Sequence, residues 1–216
     1  MLPYWRIKYR IPPFFLWLAS AAIGFYTNST AQGYAIGDAL DNFTLRATDG
    51  RQVALSDFSS HRGIIVVFTC NHCPFSQMYE SRIIRLARTF EPRGMPLLAI
   101  NPNDSAQVPE DSFMEMVKTA RRKKYPFPYL HDPTQEVARR FGAARTPHVF
   151  VARRANDKFI LVYKGAVDND PEQNKGKAAE AYVEKVAEAI LNGKEDMPYS
   201  EVKAVGCTIK WRKGQN

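Results

Sequence analysis

The chain has three cysteines in 216 residues, too few for a disulfide scaffold. It has no internal repeat, no low-complexity tract after residue 31, and no uninterrupted apolar run of the ~20 residues that a membrane-spanning helix needs. A hydrophobic fraction of 45% with 24% charged residues is ordinary, which excludes a disordered, collagen-like or multi-span membrane chain. No aromatic stacking module or glycine-rich RNA motif accompanies the net charge of +8, so that charge does not indicate a nucleic-acid partner. Arg6, Lys8 and Arg10 supply three of the eight charges from a stretch with no acidic residue. Arg121, Arg122, Lys123 and Lys124 end a helical pattern, where they complement the negative end of the helix dipole.

Length predicts one domain with additions, large enough to bury a real core. The additions come first. Met1 to Arg10 is short and basic, Phe14 to Tyr26 is apolar apart from Ser20 and small Gly24, and Ser29-Thr30-Ala31 offers the small residues that a signal peptidase reads. Residues 1–31 are thus expected to be a signal peptide, with an uncleaved signal anchor as the alternative and the sole expected tie to a membrane. No cysteine lies there to carry a lipid. The domain, 32–216, is expected in the periplasm or elsewhere in the cell envelope, where disulfides persist.

Within that domain, Thr44 to Thr48 and Gln52 to Leu55 flank Asp49-Gly50 as a hairpin. Gly63 to Phe68 is continuously apolar and β-branched, as a strand covered on both faces is. Met78, Tyr79, Ile83, Leu86, Ala87 and Phe90 share one helical face. Pro96 to Ile100 reads as a second buried strand, and Glu110 to Lys124 as a helix. Pro126 to Leu130 is extended, and Thr134 to Phe141 is a short helix stopped by Gly142. His148 to Ala152 and Phe159 to Tyr163 form a hairpin around Asn156-Asp157, and Lys177 to Leu191 is an amphipathic helix. This order predicts an α/β protein with a mixed central sheet and helices on both faces, thioredoxin-like by pattern.

Chemistry concentrates in Cys70-Asn71-His72-Cys73-Pro74, where the central strand hands over to a helix. Proline is tolerated in the first helical turn, so both cysteines fall at a helix N-terminus, where free N–H groups and the dipole stabilise a thiolate. Cys70 is expected to be the more exposed, attacking sulfur and Cys73 the resolving one. His72, if protonated, favours the thiolate further; otherwise it is an exposed cap residue. Zinc sites share the Cys-x-x-Cys spacing, but the second pair they use is missing. Thr146-Pro147 precedes a strand about where a second loop would approach the cysteines. A cis proline there would leave the preceding backbone free to pair with a substrate peptide; an ordinary trans proline is the alternative.

Cys70-Asn71-His72-Cys73-Pro74-Phe75, Tyr125 to Leu130 with Asp132 and Thr134 to Ala138, Phe141-Gly142-Ala143 followed by Thr146-Pro147, and Gly206-Cys207-Thr208-Ile209-Lys210-Trp211 resemble the peroxiredoxin-like branch of the thioredoxin superfamily, the redoxin or alkyl hydroperoxide reductase/thiol-specific antioxidant type. The resemblance runs in order over about residues 36–212. It implies a thioredoxin fold, a dithiol site at Cys70 and Cys73, and a cis peptide at Pro147. Two departures matter: Cys70 stands where true peroxiredoxins carry a threonine before the peroxidatic cysteine, and Arg145 stands where many relatives place a cysteine.

The leading expectation is an exported thiol-disulfide oxidoreductase with no cofactor beyond its own disulfide, acting on thiol or disulfide proteins with a redox donor as partner. A thiol peroxidase acting on peroxide is the alternative. A second alternative is a Cu(I)-binding protein using Cys70, Cys73 and His148. Cys207 is expected to be a buried thiol packing the tail, with exchange against the Cys70-Cys73 pair as the rival reading.

Overall fold

The structure is a computed structural model that describes residues 33–214 apart from 173, 177 and 178; the leader expected over 1–31 lies outside the described residues. Among the described residues no helix is long and apolar enough to cross a membrane. The apolar run Gly63–Phe68 forms β3, buried at every position. It pairs in parallel with β4 (Leu97–Asn101), which pairs in parallel with β5 (Tyr129–His131). The hairpin β1 (Thr44–Ala47) and β2 (Gln52–Ala54), turned by Gly50 at φ 94°, extends this side antiparallel to β5. On the other side of β3 lies a second hairpin, β7 (His148–Ala155) and β8 (Lys158–Gly165), whose Asn156 and Asp157 both have positive φ, as a tight right-twisting turn requires. The seven strands run β2-β1-β5-β4-β3-β7-β8.

Side-chain alternation along β3 sorts the core. Ile65 and Val67 face α1 (Pro74–Phe90), α2 (Phe113–Lys123) and α4 (Tyr182–Leu191); Ile64, Val66 and Phe68 face α3 (Glu136–Phe141). The fold is therefore the expected thioredoxin-like α/β arrangement, with a mixed sheet covered on both faces. A buried Arg82–Asp168 ion pair, 2.7 Å, ties α1 to the loop after β8.

Three helices begin later than their periodicity predicts. α4 starts at Tyr182 because Glu180 exchanges hydrogen bonds with Asn169, holding the preceding chain against that loop. α3 starts at Glu136 because Gln135 has φ 62°. α2 starts at Phe113 because Pro109–Asp111 forms a separate 3₁₀ turn whose Asp111 carboxylate points into the protein. A further two-stranded pairing joins β6 (Arg145–Thr146) to β9 (Cys207–Thr208).

Register places the functional loops. Phe68 is level with Ile100 in the parallel neighbour and with His148 in the antiparallel one. The segments after β3, after β4 and before β7 must therefore emerge at one end of the sheet, the edge where α/β proteins assemble their sites.

Candidate active site

Cys73 is the N-cap of α1 with Pro74 at the first helical position, and Cys70 lies three residues earlier in the loop that leaves β3. Both sulfurs are largely enclosed. Cys73 is 0% exposed and Cys70 6%, so the expected order holds while the exposure is small. Cys70 lines a cleft of about 460 Å³ with Tyr129, Tyr125, Glu80, Arg122 and Ser76; Cys73 does not reach it.

Thr146 touches both thiols. Its hydroxyl lies 3.3 Å from Cys70 Sγ, and its carbonyl oxygen accepts from Cys73 Sγ at 3.1 Å. The Thr146–Pro147 peptide is cis. The backbone before it is already paired: Thr146 faces Cys207 and Arg145 faces Thr208 in the β6–β9 ladder. This corrects the expectation of a free edge for a substrate peptide. The physical reason is the tail itself, which supplies the strand.

The thiols share protons. The neighbouring Cys70 thiol pulls Cys73 down to about 4 against the penalty of burial, with a smaller contribution from Cys207. The Cys73 thiol beside it, then burial, then the Asp111 carboxylate push Cys70 up. The Thr146 carbonyl acts the opposite way, since it is satisfied by an S–H on Cys73. With that proton on Cys73, the charge rests on Cys70 beside the hydroxyls of Thr146 and, at 3.9 Å, Ser76. The pair therefore loses its first proton easily and resists losing a second. Burial, followed by the proximity of Cys73, pushes Cys207 up to about 11. Because only the thiolate is nucleophilic, alkylation of Cys207 in the reduced protein should accelerate by about tenfold per pH unit from pH 7 towards 11. A flat profile by mass-tag labelling contradicts that placement.

His72 sits between Cys70 and a buried carboxylate. Its Nδ1 lies 2.6 Å from Asp111 Oδ2 and 3.7 Å from Cys70 Sγ, so the proton on that nitrogen goes to the carboxylate. The ring cannot take a proton from Cys70 through Nδ1 while so held. Asp111, fully buried, is the residue that the sequence reading missed. Its Oδ1 accepts from the Asn71 N–H at 2.6 Å and from Asn101 Nδ2 at 3.4 Å, and its Oδ2 from His72 and from Asn103 Nδ2 at 2.8 Å. Asn71 is a clamp: its amide donates to the Glu110 carbonyl, its side-chain oxygen accepts from Tyr129, and its carbonyl accepts from Gln77. The signal available in the sequence was a polar Asn101-Pro102-Asn103 directly after an apolar strand.

Cys70, His72 and Asp111 have ligand atoms within 4.8 Å of one another, and among the described residues they form the one His/Cys/Asp/Glu cluster with metal-holding spacing. Each Asp111 oxygen already accepts from two donors, so the cluster is a complete hydrogen-bond network as it stands. His148, the expected copper ligand, is outside it. Its Nδ1 faces the Ala144 N–H at 3.4 Å, and burial pulls its pKa down to about 4.

A model described as the AhpC/TSA family matches residues 36–169, more than half of the chain. The chain belongs to the AhpC/TSA family. An uncharacterized conserved protein from Geobacillus kaustophilus is similar in structure, with 35% identity and a TM-score of 0.77 over 84% of this chain and 95% of that one. A hypothetical protein from Sinorhizobium meliloti 1021 is similar at 31% identity and a TM-score of 0.76, over 84% and 97%. Peroxidoxin BcpB from Mycobacterium tuberculosis shares the fold at 19% identity, with a TM-score of 0.54 over 74% and 98%. No curated protein matches the chain. In this AhpC/TSA protein the matched range contains Cys70, Cys73, Asp111 and Thr146 and ends before β9, so Cys207 lies beyond it.

Proposed function

We propose that this AhpC/TSA protein is an exported thiol-disulfide oxidoreductase in which Cys70 attacks and Cys73 resolves. The observation that carries the reading is access: Cys70 is the sulfur of the pair that lines the cleft, and Cys73 is enclosed. The Cys70 thiolate attacks one sulfur of a substrate disulfide, a mixed disulfide forms, and the other substrate sulfur leaves as a thiolate that takes up a proton. Cys73, as thiolate, then attacks Cys70 Sγ. The second substrate thiol is released and the protein is left as the Cys70–Cys73 disulfide, the reverse sequence being oxidation of a dithiol. A redox donor or acceptor thiol restores the starting state, and no cofactor is required. Export rests on the basic, apolar and small-residue order of the leader.

A peroxidase would need peroxide to reach Cys73. Arg145, the arginine nearest in sequence to the cis proline, instead donates to the Gly206 carbonyl at 2.9 Å. The test is trapping. Cys73→Ser should accumulate covalent mixed disulfides with envelope proteins, because the attacking thiolate remains while the resolving one is gone; Cys70→Ser should trap few. The reverse pattern, with peroxide-dependent sulfenylation of Cys73, overturns the proposal in favour of the peroxidase.

A further inference from the structure

We propose that Cys207 is a third redox-active thiol, held by β9 in the place of an incoming substrate thiol, and that it exchanges with the Cys70–Cys73 disulfide to give Cys73–Cys207. This rests on the dithiol reading above and adds a step to it. The first support is the ladder. The strand edge before the cis proline is occupied by the protein's own tail, with Cys207 directly opposite Thr146. Opposed residues in an antiparallel pair project to the same face, about 5 Å apart at Cβ. The Thr146 hydroxyl projects to within 3.3 Å of Cys70 Sγ, so the Cys207 side chain is delivered to the same dithiol.

The second support is how firmly the tail is seated. A Cβ on Gly206 would lie 2.2 Å from the Thr146 carbonyl oxygen, so only glycine permits this approach. Ile209, 3% exposed, is packed into the core beside α3, and its N–H bonds to the Ala144 carbonyl. Gln135 Nε2 donates to the Lys210 carbonyl at 2.9 Å. Cys207 is thus presented by a built part of the fold. It is also the most accessible of the three thiols, where Cys70 and Cys73 are buried.

The exchange balances without an added oxidant. Cys207 gives up its proton and attacks Cys73 Sγ, the Cys70–Cys73 bond breaks, and Cys70 leaves as a thiolate that takes up a proton. Oxidation state is conserved, and the disulfide has moved to a sulfur that a reducing partner can reach from the tail side.

The experiment uses the full chain, reduced anaerobically and then oxidised with glutathione disulfide, followed by non-reducing peptide mapping. Wild type should give both Cys70–Cys73 and Cys73–Cys207 peptides. Cys70→Ser should give Cys73–Cys207 as its main product. Gly206→Ala, which keeps all three thiols and unseats the tail, should lower the Cys73–Cys207 yield about tenfold by lowering the effective concentration of Cys207. A free Cys207 in oxidised wild type and in Cys70→Ser alike overturns the inference. If Cys207→Ser still forms Cys70–Cys73 in that case, the dithiol reading survives; if neither wild type nor Cys207→Ser forms it, the dithiol reading falls as well.

Discussion

Cys70→Ser is expected to lower turnover of a disulfide substrate by on the order of 10³-fold or more while moving the melting temperature by no more than a few degrees. A serine hydroxyl is nearly the size of the thiol and can keep the contact with the Thr146 hydroxyl, so the cleft wall stays intact. What it cannot do is ionise near neutral pH, and the thiolate is the nucleophile. No other sulfur can replace it on that side, because Cys73 is fully enclosed and does not line the cleft. The stability cost of such a near-isosteric change is about 1 kcal/mol or less. Insulin-disulfide reduction gives the rate and a thermal melt gives the fold. Retention of more than about a tenth of wild-type turnover in the Cys70→Ser, Cys207→Ser double variant would mean that Cys73 is attacked without the cleft, and the access argument would fail.

The elements most legible in the sequence were those whose signal is local. The unbroken Gly63–Phe68 run is a strand covered on both faces because a half-exposed one would have alternated. Asn156-Asp157 forms the predicted turn because both residues accept positive φ. Thr146-Pro147 was placed from its position before a strand, and it contacts both cysteines. What the sequence hid depends on pairing between distant segments. Asp111 reaches the cysteine loop only because β3 and β4 run parallel and end level, forty residues of chain apart at the Asn71 contact. Its inward turn is also what delays α2, so one missed contact explains both a wrong helix start and a missed site residue. Likewise β9 is two residues long, too short for any periodicity, and its partner strand lies 61 residues away at the Arg145–Gly206 contact. No composition signal could have closed the peptide edge in advance.

Asp111→Asn is expected to separate two consequences of that buried carboxylate. In the native protein both oxygens face donors only: Asn71 N–H and Asn101 Nδ2 on one side, His72 Nδ1 and Asn103 Nδ2 on the other. An asparagine must turn its NH₂ towards one of these pairs: facing Asn71 and Asn101 it leaves two donors without an acceptor, and facing His72 and Asn103 it strands Asn103 Nδ2 and forces the His72 ring into its other tautomer. At a fully buried position this costs about 2–4 kcal/mol, or a fall in Tm of about 5–12 °C for a chain of this size. The second consequence has the opposite sign. The Asp111 charge is among the causes that push Cys70 up, so removing it brings Cys70 down and raises the thiolate fraction at any given pH. Alkylation of Cys70 by iodoacetamide at pH 7, followed by peptide mapping, should therefore be faster in the variant even though the variant is less stable. A lower Tm with unchanged or slower Cys70 alkylation would leave Asp111 as scaffolding for the Asn71 loop alone. An unchanged Tm would mean that the four donors do not depend on the carboxylate, and the buried network around the dithiol would have to be redrawn.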